Sequence, residues 1–111
     1  GVKLAFGSDA PVETINPFAG IYSALERKLH NNKLNQSWRP EEKIDIWDAL
    51  AGYTTSAAEI SGCSEIAGLV AENYRADLIV VDDFESCANE YWLEAKALLT
   101  MIDGEIVYND I

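Results

Sequence analysis

Apolar positions along the chain fall into short blocks separated by polar turns. The first block, Val2-Lys3-Leu4-Ala5-Phe6, is a short apolar strand that breaks at Gly7 and delivers the Asp9 carboxylate onto a turn. Asn16 then caps a helix whose first residue is Pro17, a favoured pairing because proline lacks the N–H that would find no partner there. Phe18, Ile21, Tyr22, Leu25 and Leu29 recur at helical spacing and form one apolar stripe. The polar stretch 30–39 reads as a surface loop, with Trp38 near its end. A second helix starts at Asp45, whose side chain caps it, with Asp48 at the third helical position and Ile44 stapled to Ala49. Leu50, Tyr53, Ala57 and Ile60 continue its inner face, and Gly62 is placed to end it.

The C-terminal half changes period. Leu78-Ile79-Val80-Val81 is a compact apolar run bounded by Asp77, Asp82 and Asp83, which predicts a strand buried on both faces. Leu98 to Ile102, then Asp103-Gly104, then Glu105 to Tyr108 predicts a hairpin. Asp-Gly suits a type I′ turn, where both central residues take positive φ. The order is therefore strand, helix, helix, then a few strands, without internal repeats. Gly1 leads directly into a strand pattern, as in a chain cut from something longer.

Composition narrows the function. With 111 residues, 49% hydrophobic and 24% charged, the chain can form one ordinary domain with a modest core. Eight basic against nineteen acidic residues leave a net charge of −11, which argues against nucleic acid and against an anionic membrane surface. No apolar run reaches membrane-spanning length and no signal segment is present, so a cytoplasmic protein is the expectation. Cys63 and Cys87 lack metal-ligand spacing and are expected as two buried free thiols.

The candidate chemistry is concentrated at Asp9. In a barrel of parallel strands, side chains just past a strand's C-terminal end line the mouth of the active site. A carboxylate there can ligate a metal or move protons; the alternative is that Gly7-Ser8-Asp9-Ala10-Pro11 is only a turn. His30, the single histidine, sits at a helix end, where it is favourable against the dipole, and is expected as a cap or surface residue. Ser8 and Gly7 shape the turn. Glu13 lies on a loop facing the same side, whereas Asn16 is explained by its capping role. Trp38, Trp47 and Trp92, with Tyr91, read first as packing residues.

The order of these motifs resembles the C-terminal part of the amidohydrolase superfamily, in its amidohydrolase-3 (formamide and N-acyl deacylase-like) branch. Gly7-Ser8-Asp9-Ala10-Pro11-Val12 with Asn16-Pro17-Phe18 resembles the eighth barrel strand and the loop after it. Asp45 to Ala58 resembles the helix after the barrel. Gly68 to Asp82, including Ala76-Asp77-Leu78-Ile79-Val80-Val81, resembles a strand returning to a small β-sandwich, and Thr100 to Tyr108 resembles the closing hairpin. Where the family usually has Pro-Gly-Lys, this chain has Glu72-Asn73-Tyr74, and Asn73 can take the left-handed conformation that glycine would supply.

The resemblance implies an α/β fold: the last strand–helix unit of a (β/α)8 barrel, followed by a helix and part of a small β-sandwich. Residues 1–62 would end the barrel and 63–111 would belong to the sandwich. It also implies a metal-dependent hydrolase of non-peptide C–N bonds, acting on a small-molecule amide. Of the family's metal site, only the strand-eight aspartate maps here, onto Asp9, as metal ligand and proton shuttle in the intact enzyme. A divalent metal, zinc by expectation, would belong to the parent, with none expected on this chain alone. The alternative is a non-catalytic structural or interaction module that keeps the family's tail. Unpaired strand edges lead further to an expectation of self-association.

Overall fold

The computed structural model describes residues 1–28 and 36–111. The elements run α1 (Pro17–Glu26), a 3-10 turn (Pro40–Glu42), α2 (Ile46–Tyr53), α3 (Thr55–Ile60), β1 (Leu78–Val80), α4 (Tyr91–Glu94), β2 (Leu99–Ile102) and β3 (Glu105–Asn109). Helices and sheet form two separate regions.

The helix starts follow from their caps. Asn16 holds an extended backbone, and its side-chain oxygen accepts from the Phe18 N–H at 3.0 Å, ahead of Pro17. Asp45 does the same at α2, accepting from the Asp48 N–H at 2.9 Å. The α1 helix stops at Glu26 because Arg27 turns left-handed (φ 53°), its N–H donating to the Ser23 carbonyl at 2.8 Å. Leu29 and His30, the expected end of the stripe and helix cap, lie outside the described residues.

The expected single helix from Asp45 to Gly62 is two. Thr54 breaks it with φ −126° and ψ −94°. Its hydroxyl donates to the Leu50 carbonyl at 2.7 Å, an intrahelical competition that threonine offers the backbone and that the apolar spacing does not reveal. Gly62 follows the second piece at φ 73°, as expected for a helix end.

The core lies between the helices. Phe18, Ile21, Tyr22 and Leu25 of α1 meet Ala49 of α2 and, from far along the chain, Trp92 and Ala95. Trp92 is 3% exposed, with Phe18 and Phe84 ring centroids at 5.8 and 5.1 Å. The short helix α4 that carries it was not predicted, since four residues show no periodicity. Trp92 thus packs as expected, while Trp38 and Trp47 are exposed. Trp38 lies 4.8 Å beneath the Arg27 guanidinium, which explains its place on the surface.

The three strands form one antiparallel sheet in the order β1-β2-β3. Asp103 and Gly104 both take positive φ (51° and 83°), as the I′ turn requires. The Asp103 N–H donates to the Asp77 carboxylate at 2.7 Å, tying the hairpin turn to the residue before β1. Upstream, Asn73 takes φ 68°, the left-handed conformation expected of it.

Two strand expectations change. The run Leu78–Val81 is not buried on both faces: Ile79 and Val80 are exposed, and no residue of the sheet is buried. Among the described residues no helix packs closely on the sheet, so its apolar side chains find little to bury against. The segment 2–6 is extended but unpaired; among the described residues no neighbouring strand supplies a ladder. The thiols are also corrected. Both are free, but Cys63 is half-buried and Cys87 exposed, its Sγ directed to the Asp83 carbonyl on a surface loop. No helix among the described residues is long and apolar enough to cross a membrane.

Candidate functional site

The Asp9 carboxylate stands on a tight turn at the end of the extended segment. The Val12 N–H donates to the Asp9 carbonyl at 2.9 Å, and the Glu13 N–H donates to the Ser8 carbonyl at 3.2 Å. Asp9 itself takes φ 48°. Few non-glycine residues adopt this region, and aspartate is among those that tolerate it. The residue is exposed.

The turn is positioned by what lies beneath segment 2–7. The Phe6 N–H donates to the Gly52 carbonyl at 2.9 Å, and Lys3 pairs with Glu59 of α3. The Phe6 ring lies on Gly52, where an added Cβ would come within 2.5 Å of it. Phe6 also meets Tyr53 at 5.5 Å between centroids, and the Tyr53 hydroxyl fills the place of a Cβ at Gly20 of α1. Two helix glycines therefore act as flat seats for two aromatic rings, and the rings carry the segment that leads to Asp9. Glycine within a helix costs about 0.5–1 kcal/mol relative to alanine, so Gly20 and Gly52 were signals of close approach that the apolar stripe did not use.

Beside the turn is a cleft of about 170 Å³ whose walls include Ser8, Glu13, Thr14, Ser23 and Tyr53. Burial raises the pKa of the Tyr53 phenol above its ordinary value, so it remains a neutral hydroxyl at physiological pH. Glu13 borders this cleft. Asn16 also borders it, with its side-chain oxygen committed to the helix cap.

A second polar group joins the helices without facing this cleft. Glu26 accepts from Lys43 at 2.8 Å and from the Asn89 amide at 2.7 Å. The hydrogen bond from Lys43, then that from Asn89, holds its carboxyl below the ordinary range. This arrangement binds α1 to the segments before α2 and before α4, a structural role.

The residues present do not make a metal centre. No group of three or more His, Cys, Asp or Glu side chains capable of holding an ion occurs among the described residues. A zinc site takes three or four protein donors, and a single exposed carboxylate falls short. His30 lies outside the described residues.

Comparison with known proteins extends this picture. The family model described as "Amidohydrolase family" matches residues 1–108. A Bacillus subtilis (strain 168) protein, YtcJ, assigned by name to the amidohydrolases, is 37% identical over 111 residues, covering 97% of this chain and 21% of that protein. An N-substituted formamide deformylase of Arthrobacter pascens is 30% identical, covering 97% of this chain and 20% of the enzyme. The Arabidopsis thaliana protein LONG AFTER FAR-RED 3 is 31% identical over 105 residues, covering 95% and 18%. Among solved structures, an amidohydrolase from Thermotoga maritima MSB8 superposes with a TM-score of 0.72 at 20% identity, covering 98% of this chain and 24% of that one. At that identity the likeness speaks to fold. The chain spans about a fifth of the length of the curated relatives it matches.

Proposed function

The chain belongs to the amidohydrolase family, and we propose that it is the C-terminal part of a metal-dependent enzyme that hydrolyses non-peptide amide or cyclic amide C–N bonds. In this reading residues 1–62 end a (β/α)8 barrel, and residues 63–111 form part of a small β-sandwich. The substrate is a small-molecule amide, the metal is a divalent cation such as zinc, and the protein works in the cytoplasm. The name of the Arthrobacter relative, a deformylase of N-substituted formamides, supports a C–N bond as the target.

The observation that carries the reading is the Asp9 carboxylate, exposed on a left-handed turn at the end of the apolar segment and inside the matched region. Asp9 is one donor of a metal site whose other donors lie outside this chain, and the described residues alone form no such site. Its second role is to accept a proton and return it to the leaving nitrogen, a task that asks for a rigidly placed carboxylate. The seats at Gly52 and Gly20 supply that rigidity.

Asp9→Asn in the complete enzyme tests this. Asparagine tolerates positive φ as aspartate does, so the turn survives and only the charge is lost. The expected result is a loss of at least about 10²-fold in kcat, the usual scale for a proton-transfer group, with an unchanged thermal midpoint. Near-normal turnover would reduce Asp9 to a turn residue.

A further inference from the structure

The two exposed tryptophans differ in what lies over them. Trp38 carries the Arg27 guanidinium at 4.8 Å and that of Arg39 at 5.8 Å. Trp47, 59% exposed, carries no such cation among the described residues. Its ring instead walls a cleft of about 440 Å³ whose lining includes Phe84, Glu85 and Trp92. Phe84 stands at 60° to Trp47 with centroids 5.9 Å apart, and at 48° to Trp92 with centroids 5.1 Å apart. Rings in these different planes bound the cleft on more than one side, and Trp92 is anchored in the core.

The charge at this cleft has one sign. No lysine or arginine occurs in residues 44–74 or 76–95, the stretches that supply the lining. Lys43, just before the first stretch, is paired with Glu26 at 2.8 Å. Asp82 and Asp83 commit their carboxylates to the backbone, accepting from the N–H groups of Asp83 and Glu85 at 2.9 and 3.0 Å. Those turns, with the Cys87 N–H donating to the Phe84 carbonyl at 3.1 Å, fix the loop that presents Phe84 and Glu85. Glu85 is the carboxylate in the cleft wall.

Segment 2–6 and the sheet, where the rest of a longer enzyme would join, contribute nothing to this lining. On α2, Trp47 and Gly52 are five residues apart, about 140° round the helix, and Gly52 is the residue that faces Phe6. The cleft therefore lies on the side of α2 turned away from the Asp9 segment, and its aromatic walls all come from this chain.

We propose that this cleft binds a small organic cation, a quaternary ammonium, held by the aromatic faces and by Glu85. Such a group has no N–H to satisfy, and the ring quadrupole attracts it within about 6 Å of a centroid. The cleft volume falls in the range of about 300–1,000 Å³ usual for small-molecule sites. Acidic surroundings with no basic side chain in the lining supply the complementary field. The site uses none of the residues around Asp9, so it stands or falls apart from the hydrolase reading.

Choline is the probe, titrated by saturation-transfer NMR against the intact enzyme that contains this chain. Its neutral isostere, 3,3-dimethylbutan-1-ol, is the comparison. Choline should bind with a Kd of about 1 mM or lower, and about fivefold or more tightly than the alcohol. Trp47→Leu keeps an apolar wall but removes the ring, and should weaken choline binding about tenfold with an unchanged thermal midpoint. Should that variant fail to fold, Glu85→Lys, at an exposed loop position, gives the same loss by setting a cation of its own beside the rings. An enzyme that does not bind choline overturns the proposal. Equal binding of the alcohol overturns it too, as does a folded variant that holds choline as tightly as the wild type.

Discussion

The helical region and the sheet obey the same sequence rules and reach opposite outcomes. In the helices, an apolar stripe on α1 finds a facing surface, and Ile21, Leu25 and Ala49 are all at most 4% exposed. In the sheet, an apolar run of comparable strength finds none among the described residues, and Ile79, Ile106 and Val107 remain half exposed. An open crevice of 470 Å³, bounded by Ala57 and Ser61 of α3 and by Ile79 of β1, lies where the two regions meet. Apolar patterning therefore states which face wants burial, and only a partner surface delivers it. The helical region closes because the chain returns: residues 84–95 bring Phe84, Trp92 and Ala95 back onto α1.

The sharpest way to break this contrast is Trp92→Ala. Truncating a buried tryptophan costs about 3–5 kcal/mol, a large fraction of the roughly 5–15 kcal/mol that stabilises a domain. Urea denaturation followed by circular dichroism should show a midpoint collapse. If stability were held by the sheet instead, the midpoint would barely move.

Gly52→Ala should come next. Alanine recovers up to about 1 kcal/mol of helix propensity, but its Cβ meets the Phe6 ring at 2.5 Å, and overpacking costs about 1–3 kcal/mol. The expected net is a loss of about 1 kcal/mol, together with displacement of the segment that carries Asp9. Greater stability from the same denaturation curve would show that Phe6 moves aside freely.

Glu26→Gln should cost about 1 kcal/mol at neutral pH, a hydrogen bond to a charged group discounted for the partly exposed Lys43. Its pH dependence has a definite sign. A carboxyl lowered on folding stabilises fully above its ordinary value of 4.5, and that contribution fades as pH falls through the lowered folded value. Stability of the wild type should therefore drop more steeply below pH 4.5 than that of the glutamine variant. Parallel profiles would remove Glu26 from the account.

The smallest effect belongs to the sheet. Val107→Thr, at a bulged position 55% exposed, should change stability by less than about 0.5 kcal/mol. A larger loss would mean that the sheet carries more of the fold than its exposure indicates.

Much of the local structure was legible. The Asn16 and Asp45 caps and the Asp103-Gly104 turn were each anticipated from residues a few positions apart, and the left-handed Asn73 from the family resemblance. The break at Thr54 was not, because a hydroxyl that bonds back to Leu50 looks like any helical threonine in an apolar-spacing analysis. Nor was α4, whose four residues are held by the burial of Trp92 rather than by their own preference. At the candidate site, Asp9 was identified from its place after an apolar run, while Gly20, Gly52 and Tyr53 came to light only when the rings were seen lying on the glycines.

By itself the sequence determined where helices begin, where the hairpin turns and which side chains seek an apolar environment. Those outcomes rest on side chains and backbone groups within a few residues of one another, whose geometry any chain context preserves. Only the tertiary structure decided that Trp92 completes the core of α1, that the segment before Asp9 rests on Gly52 without pairing as a strand, and that the sheet's apolar side chains find no cover among the described residues. Each of these depends on what arrives from a distant part of the chain, and burial is a property of two surfaces rather than one.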